Sequence, residues 1–135
     1  MLPLAALAFF AVACSNNNNA LTGATNQPSV ASTTDIFSGT LTLNGAQTYP
    51  FGVQNAGTIS AALTTLTPDS TSAIGLSLGT WNGSACQIVL ANDKAVQGSS
   101  VIGQASALGN FCVRVYDAAG TVTQPESYVV TVSHP

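Results

Sequence analysis

From Phe37 onward, apolar and polar residues alternate in short runs. Phe37, Gly39, Leu41 and Leu43 interleave with Ser38, Thr40 and Thr42, and Tyr49, Phe51 and Val53 repeat the pattern. A period of two is the signature of a strand with one face buried. Asn44-Gly45 separates these two runs, and both residues tolerate the positive φ of a type I′ turn, so the pattern predicts a hairpin there. Later runs are built on Ile59, Ala61 and Leu63, on Ile74, Leu76 and Leu78, on Cys86, Ile88 and Leu90, on Phe111, Val113 and Val115, and on Tyr128, Val130 and Val132. Turn residues punctuate them at Asn55-Ala56-Gly57, Pro68-Asp69-Ser70, Asn82-Gly83 and Gly109-Asn110. Between Asn92 and Ala107 the pattern is less regular, with a short strand expected at Val101-Ile102 and a loop opening at Asn92-Asp93-Lys94. No stretch keeps a helical period with helix formers. Seven or eight short strands predict an all-β fold, a sandwich of two antiparallel sheets. A small membrane barrel would need strands of about 9–11 residues and two aromatic girdles. These runs are shorter, and aromatics are sparse.

The first residues follow a different rule. Leu2 to Ala13 are apolar apart from one proline, too few to cross a bilayer, which takes ~20 residues as a helix. Residues 1–13 are therefore expected to be a signal peptide. The segment closes on Ala11-Val12-Ala13-Cys14, which resembles the lipobox of bacterial lipoproteins. That resemblance implies diacylglycerol on Cys14, cleavage before it, and a membrane-anchored exported protein, delivered to the outer membrane if the host has one. The plainer alternative is an ordinary secretory leader that leaves Cys14 as a free thiol. Residues 14–34 then form the lipidated N-terminus and a polar tether, SNNNNALTGATNQPSVASTT, with nothing to bury. As a flexible coil it would hold the β-domain of residues 35–135 ~25 Å from the lipid headgroups. Of the three cysteines, lipidation accounts for one and leaves Cys86 and Cys112 for a disulfide, which an oxidising compartment preserves. Strict alternation would point Cys86 inward with Ile88 and Leu90 but Cys112 outward with Arg114 and Tyr116. Their bond therefore calls for a bulge, strand end or edge.

The succession GTLTLNGAQTYPFGVQNAGTISAALTTL, AIGLSL, GNFCVRVYD and SYVVTV, across about residues 36 to 133, resembles the bacterial pre-peptidase C-terminal domain. The resemblance implies a jelly-roll-like β-sandwich without catalytic function. Relatives in collagenases bind collagen with calcium nearby, but this sequence lacks the cluster of Asp and Glu that would supply calcium's six to eight oxygen ligands.

Charge narrows the function further. Five acidic residues face two basic ones, Lys94 and Arg114. Nucleic-acid binding requires several Lys or Arg to displace condensed counterions, so nucleic acid is excluded as a partner. The lone histidine, His134, is next to last in the sequence, where chains fray, and cannot serve as the base of a hydrolytic triad. Asp69, Asp93 and Asp117 stand at turn-like positions, where Asp bonds nearby backbone N–H groups. No catalytic residues, metal ligands or cofactor are expected, and the protein reads as a non-enzymatic binding or structural module contacting glycan or protein. The alternative is an accessory hydrolase whose site is not recognisable. Three residues stand out as candidates for ligand contact. Trp81, beside an Asn-Gly turn, could stack on a sugar or pack the end of the core. Asp93 could serve a ligand or calcium loop, and Arg114 could anchor a carboxylate or merely cover its neighbours.

Overall fold

The computed structural model describes residues 30–135. The leader, Cys14 and the tether up to residue 29 lie outside the described residues. Eight strands follow one another: β1 (Thr33–Leu41), β2 (Ala46–Val53), β3 (Gly57–Thr67), β4 (Ile74–Trp81), β5 (Cys86–Ala95), β6 (Ser100–Ala105), β7 (Gly109–Tyr116) and β8 (Glu126–His134). They form two four-stranded sheets, β1-β8-β3-β6 (sheet A) and β2-β7-β4-β5 (sheet B). Every pairing is antiparallel. The fold is the expected all-β sandwich, and its strand order is that of a jelly roll.

The alternating residues of the sequence supply the core. Leu41, Ile59, Ala61, Leu63, Val130 and Val132 of sheet A face Phe51, Val53, Leu76, Leu78, Val113 and Val115 of sheet B. At one margin Phe37 stacks on Tyr49 with 4.9 Å between ring centroids, and the Tyr49 and Tyr128 hydroxyls meet at 2.6 Å. Burial pushes the Tyr128 phenol above its ordinary range, and its bond to Tyr49 adds to this.

The Asn44-Gly45 hairpin is not formed. Asn44 does adopt a positive φ of 54°, and Gly45 N–H donates to Thr42 O at 2.9 Å. Yet the flanking strands join different sheets, β1 pairing with β8 and β2 with β7. The turn is an arch between layers, and it leaves Leu43 outside β1 and 57% exposed. Asp117, in the β7–β8 arch, accepts backbone N–H bonds from Asn44 (3.0 Å), Thr121 (3.0 Å) and Val122 (3.3 Å). Asp117 N–H in turn donates to Gly45 O. One carboxylate thereby ties both arches together. Desolvation pushes its pKa up, but the converging N–H donors outweigh this and hold it below the ordinary 3.8. Because the folded pKa is the lower one, this stabilisation is present above the unfolded value and is lost as pH falls through the folded value. Asp117→Ala is accordingly expected to lower the melting temperature at neutral pH, and the gap between variant and wild type should narrow as pH falls below the ordinary 3.8 and through the lowered folded value. A pH series of thermal melts checks this.

His134 also departs from expectation. It is not frayed: it sits in β8 opposite Thr33 and is 3% exposed. Its ring stacks on Phe51 at 5.2 Å, and Nε2 lies 2.9 Å from Asp35 Oδ2. Pairing of β8 between β1 and β3 extends almost to the chain's last residue, which removes the freedom that fraying requires.

Cys86 and Cys112 are bonded, with a Cα–Cα distance of 5.8 Å. A bulge resolves the conflict of faces. Leu78 pairs with Leu90 but the next residue, Gly79, pairs with Ile88, so Val89 is the extra residue. The bulge inverts the phase of β5, leaving Leu90 on the side of Leu78 and turning Ile88 and Cys86 to the outer side, where Cys112 already points. A second irregularity, with Ile74 paired to Ala95 and Leu76 to Asn92, carries β5 through Asn92-Asp93-Lys94. Those three residues belong to a strand, not a loop. The bulge absorbed the break in alternation that had suggested one.

Candidate functional site

The outer face of sheet B gathers the three candidate residues. Tyr116, Arg114, Cys112 and Asn110 follow one another along β7, and Gly75, Ser77 and Gly79 lie beside them on β4, with Trp81 at the strand's end. β4 is central and its outer face is covered, which requires small residues there. A Cβ on Gly75 would meet the Tyr116 ring, and one on Gly79 would meet the Gln87 carbonyl of β5. Ser77, between them, is fully buried.

Arg114 and Asp93 both engage Tyr116. The guanidinium carbon lies 5.2 Å from the Tyr116 ring centroid, a cation–π contact. The Tyr116 hydroxyl donates to Asp93 Oδ1. Burial first, then this hydrogen bond and the Asp93 charge, push the Tyr116 phenol up to about 12, so it stays protonated as a donor at neutral pH. Asp93 is thus occupied as an acceptor. Among the described residues no carboxylate lies within ion-pair distance of Arg114; the one such contact joins His134 and Asp35.

Trp81 is half-buried and stands outside the hydrophobic core. It separates two open depressions. One, of about 340 Å³, lies between Trp81 and Arg114 and is completed by Thr48, Ser84, Ala85 and Cys86. The other, of about 540 Å³, is lined by Trp81 together with Asn82, Gly83, Asn110 and residues 50–52 of β2. The β4–β5 turn holds the indole between them. Asn82 Oδ1 accepts from Ser84 N–H (3.0 Å), Ser84 Oγ (3.2 Å) and Ala85 N–H (2.8 Å), and Gly83 takes a φ of 99°. Among the described residues the Asn82 amide NH₂ has no hydrogen-bond partner. A third cavity, about 270 Å³, opens between the sheets at the β5/β6 edge. No titratable side chain lines it.

Sequence reasoning found Trp81, Arg114 and Asp93 but not their neighbours. Tyr116 was accessible to it, since it alternates with Arg114 on one face. So was Asn110, two residues before Cys112 on the same strand, whereas Thr48 was not, because its place depends on β2 pairing with β7, which no local signal encodes. Among the described residues no group of three or more His, Cys, Asp or Glu comes together. No protein-family model matches the chain, and no curated protein matches it. Fold and face together define a jelly-roll sandwich that presents an aromatic and a guanidinium on the outside of one sheet.

Proposed function

We propose that this is a non-catalytic binding module, tethered at the bacterial envelope through Cys14, that takes a glycan on the outer face of sheet B. The observation that carries the reading is the position of Trp81. Its indole forms the wall shared by two open depressions lined with Thr, Ser and Asn side chains and does not fill the core. A flat aromatic flanked by hydroxyl and amide groups suits a sugar ring, whose C–H face stacks while its hydroxyls hydrogen-bond. The depressions are broad and shallow, as an exposed chain of sugars requires. The jelly roll is the fold implied by the resemblance to pre-peptidase C-terminal domains, and that agreement supports a non-enzymatic role.

The test is titration of the full chain against a panel of bacterial and plant polysaccharides, comparing wild type with Trp81→Ala. At least one polymer should bind, and loss of the indole should weaken it by about tenfold or more, as for a buried aromatic anchor. The melting temperature should stay within a few degrees, because Trp81 lies outside the core. Undiminished binding by Trp81→Ala would remove the basis for this site.

A further inference from the structure

We infer that the sugar is acidic, with Arg114 receiving its carboxylate while Trp81 stacks on its ring. This rests on the glycan reading above and goes further by naming the ligand's charge and the residue that reads it.

The distribution of charge is the first ground. The chain is acidic overall, at −3, yet its charges are segregated. Asp35 and Glu126 lie on strands of sheet A, and Asp69 and Asp117 lie in connections between strands. Both cations, Lys94 and Arg114, lie on strands of sheet B, with Asp93 as that sheet's only strand acid. The strands of sheet B carry two cations and one acid, and those of sheet A carry two acids and no Lys or Arg. Such an arrangement favours approach of an anion to sheet B and disfavours it elsewhere.

Local geometry supplies the second ground. Arg114 is held against the Tyr116 ring and lines the depression it shares with Trp81. Asp93, which accepts the hydroxyl of the same tyrosine, makes no ion pair with Arg114. The guanidinium thus lies over the Tyr116 ring, and among the described residues no carboxylate is within ion-pair distance of it. A stacked, planar fork loses little freedom on binding and matches a carboxylate through two parallel N–H···O bonds. The depression spans the interval between guanidinium and indole, and the Thr48 and Ser84 hydroxyls on its rim can meet ring hydroxyls. A uronic acid supplies these features in one unit: a ring face for Trp81, hydroxyls for the rim and a planar carboxylate for Arg114.

The experiment titrates the full chain with polygalacturonate, alginate and hyaluronate, each alongside its carboxyl-reduced counterpart, and with a sulfated neutral polysaccharide. At least one acidic polymer is expected to bind about tenfold or more tightly than its reduced form, the worth of a hydrogen-bonded charge pair. Added salt should erode that preference. Arg114→Gln should abolish it while keeping residual binding to the reduced polymer, and Arg114→Lys should retain part of it, since the charge remains and the fork is lost. Equal affinity for acidic and reduced forms, or an acid preference that survives in Arg114→Gln, overturns the inference and leaves the glycan reading standing. Tighter binding of the sulfated polymer than of any uronate overturns the carboxylate assignment. Failure of every polymer, acidic and neutral alike, overturns the glycan reading itself. If Arg114→Gln does not fold, the ratio measured for wild type with each polymer and its reduced form decides the question alone.

Discussion

The double substitution Cys86→Ala with Cys112→Ala is expected to lower the melting temperature by more than ~10 °C. The bond joins residues 26 apart in sequence, and closing a loop of that length in the unfolded chain is worth ~3.5 kcal/mol on the chain-entropy model. A domain of this size has a total stability of roughly 5–15 kcal/mol, so the disulfide is a large part of it. Each ~1 kcal/mol corresponds to about 4–8 °C here. The bond's place in the fold magnifies the effect. Cys86 opens β5, which is an edge strand held by β4 alone within its sheet, and its outer face is largely exposed. Without the bond, the start of β5 keeps only its ladder to β4. Thermal melts with and without reductant test this: reductant should bring wild type down to the double variant and should not move the variant. A shift below ~3 °C in both comparisons would show that the loop is already restrained in the unfolded chain.

What the sequence disclosed and what it hid divide along a physical line. Alternation reads which face of a strand is apolar, and it placed Ile59, Leu76, Val113 and Val130 in the core correctly. It does not read which strand lies alongside. Asn44-Gly45 adopted the backbone that its residues favour, but whether such a turn closes a hairpin or an arch is decided by pairings far away in sequence, here β1 with β8 and β2 with β7. At Asn82-Gly83 the same dipeptide does close a hairpin, β4 with β5. Bulges were half legible: the clash of faces between Cys86 and Cys112 called for a bulge, strand end or edge, but no local signal placed one at Val89. One extra residue at Val89 reverses the faces of β5 and so permits the disulfide, and the irregularity opposite Gly75 made a strand look like a loop at Asn92-Asp93-Lys94. The candidate site was half legible for the same reason. Trp81, Arg114 and Asp93 announce themselves by residue type, whereas Thr48 and the small residues of β4 acquire their roles only from register.

Gly79→Ala should be the most damaging single methyl in the molecule. Gly79 lies between Cys112 on β7 and Ile88 on β5. The two cysteines belong to strands on either side of β4, yet their Cα atoms are 5.8 Å apart, far less than two strand spacings of about 4.8 Å each. The start of β5 therefore leans over β4, and it can do so only where β4 has no side chain. A Cβ at Gly79 would collide with the Gln87 carbonyl and the backbone at Ile88, atoms that no rotamer change can move aside. β5 must then lift off, which costs about 1–3 kcal/mol for overpacking and separates Cys86 from Cys112, with loss of the ~3.5 kcal/mol attributed to their bond. The expected result is a melting temperature below that of the double cysteine variant, together with alkylation of both thiols in oxidised material when peptides are mapped by mass. Gly52→Ala is the control on the same face of sheet B. A Cβ there meets only the side-chain ends of Asn110 and Gln54 at 3.9 Å, an ordinary contact, so its melting temperature should stay within a few degrees of wild type. Lifting β5 also moves Ser84, Ala85 and Cys86, which line the depression between Trp81 and Arg114, so under the proposed glycan reading Gly79→Ala should bind any polysaccharide ligand more weakly than wild type. A Gly79→Ala protein that forms the bond quantitatively and melts with wild type would show that β5 does not depend on a bare backbone at this crossing.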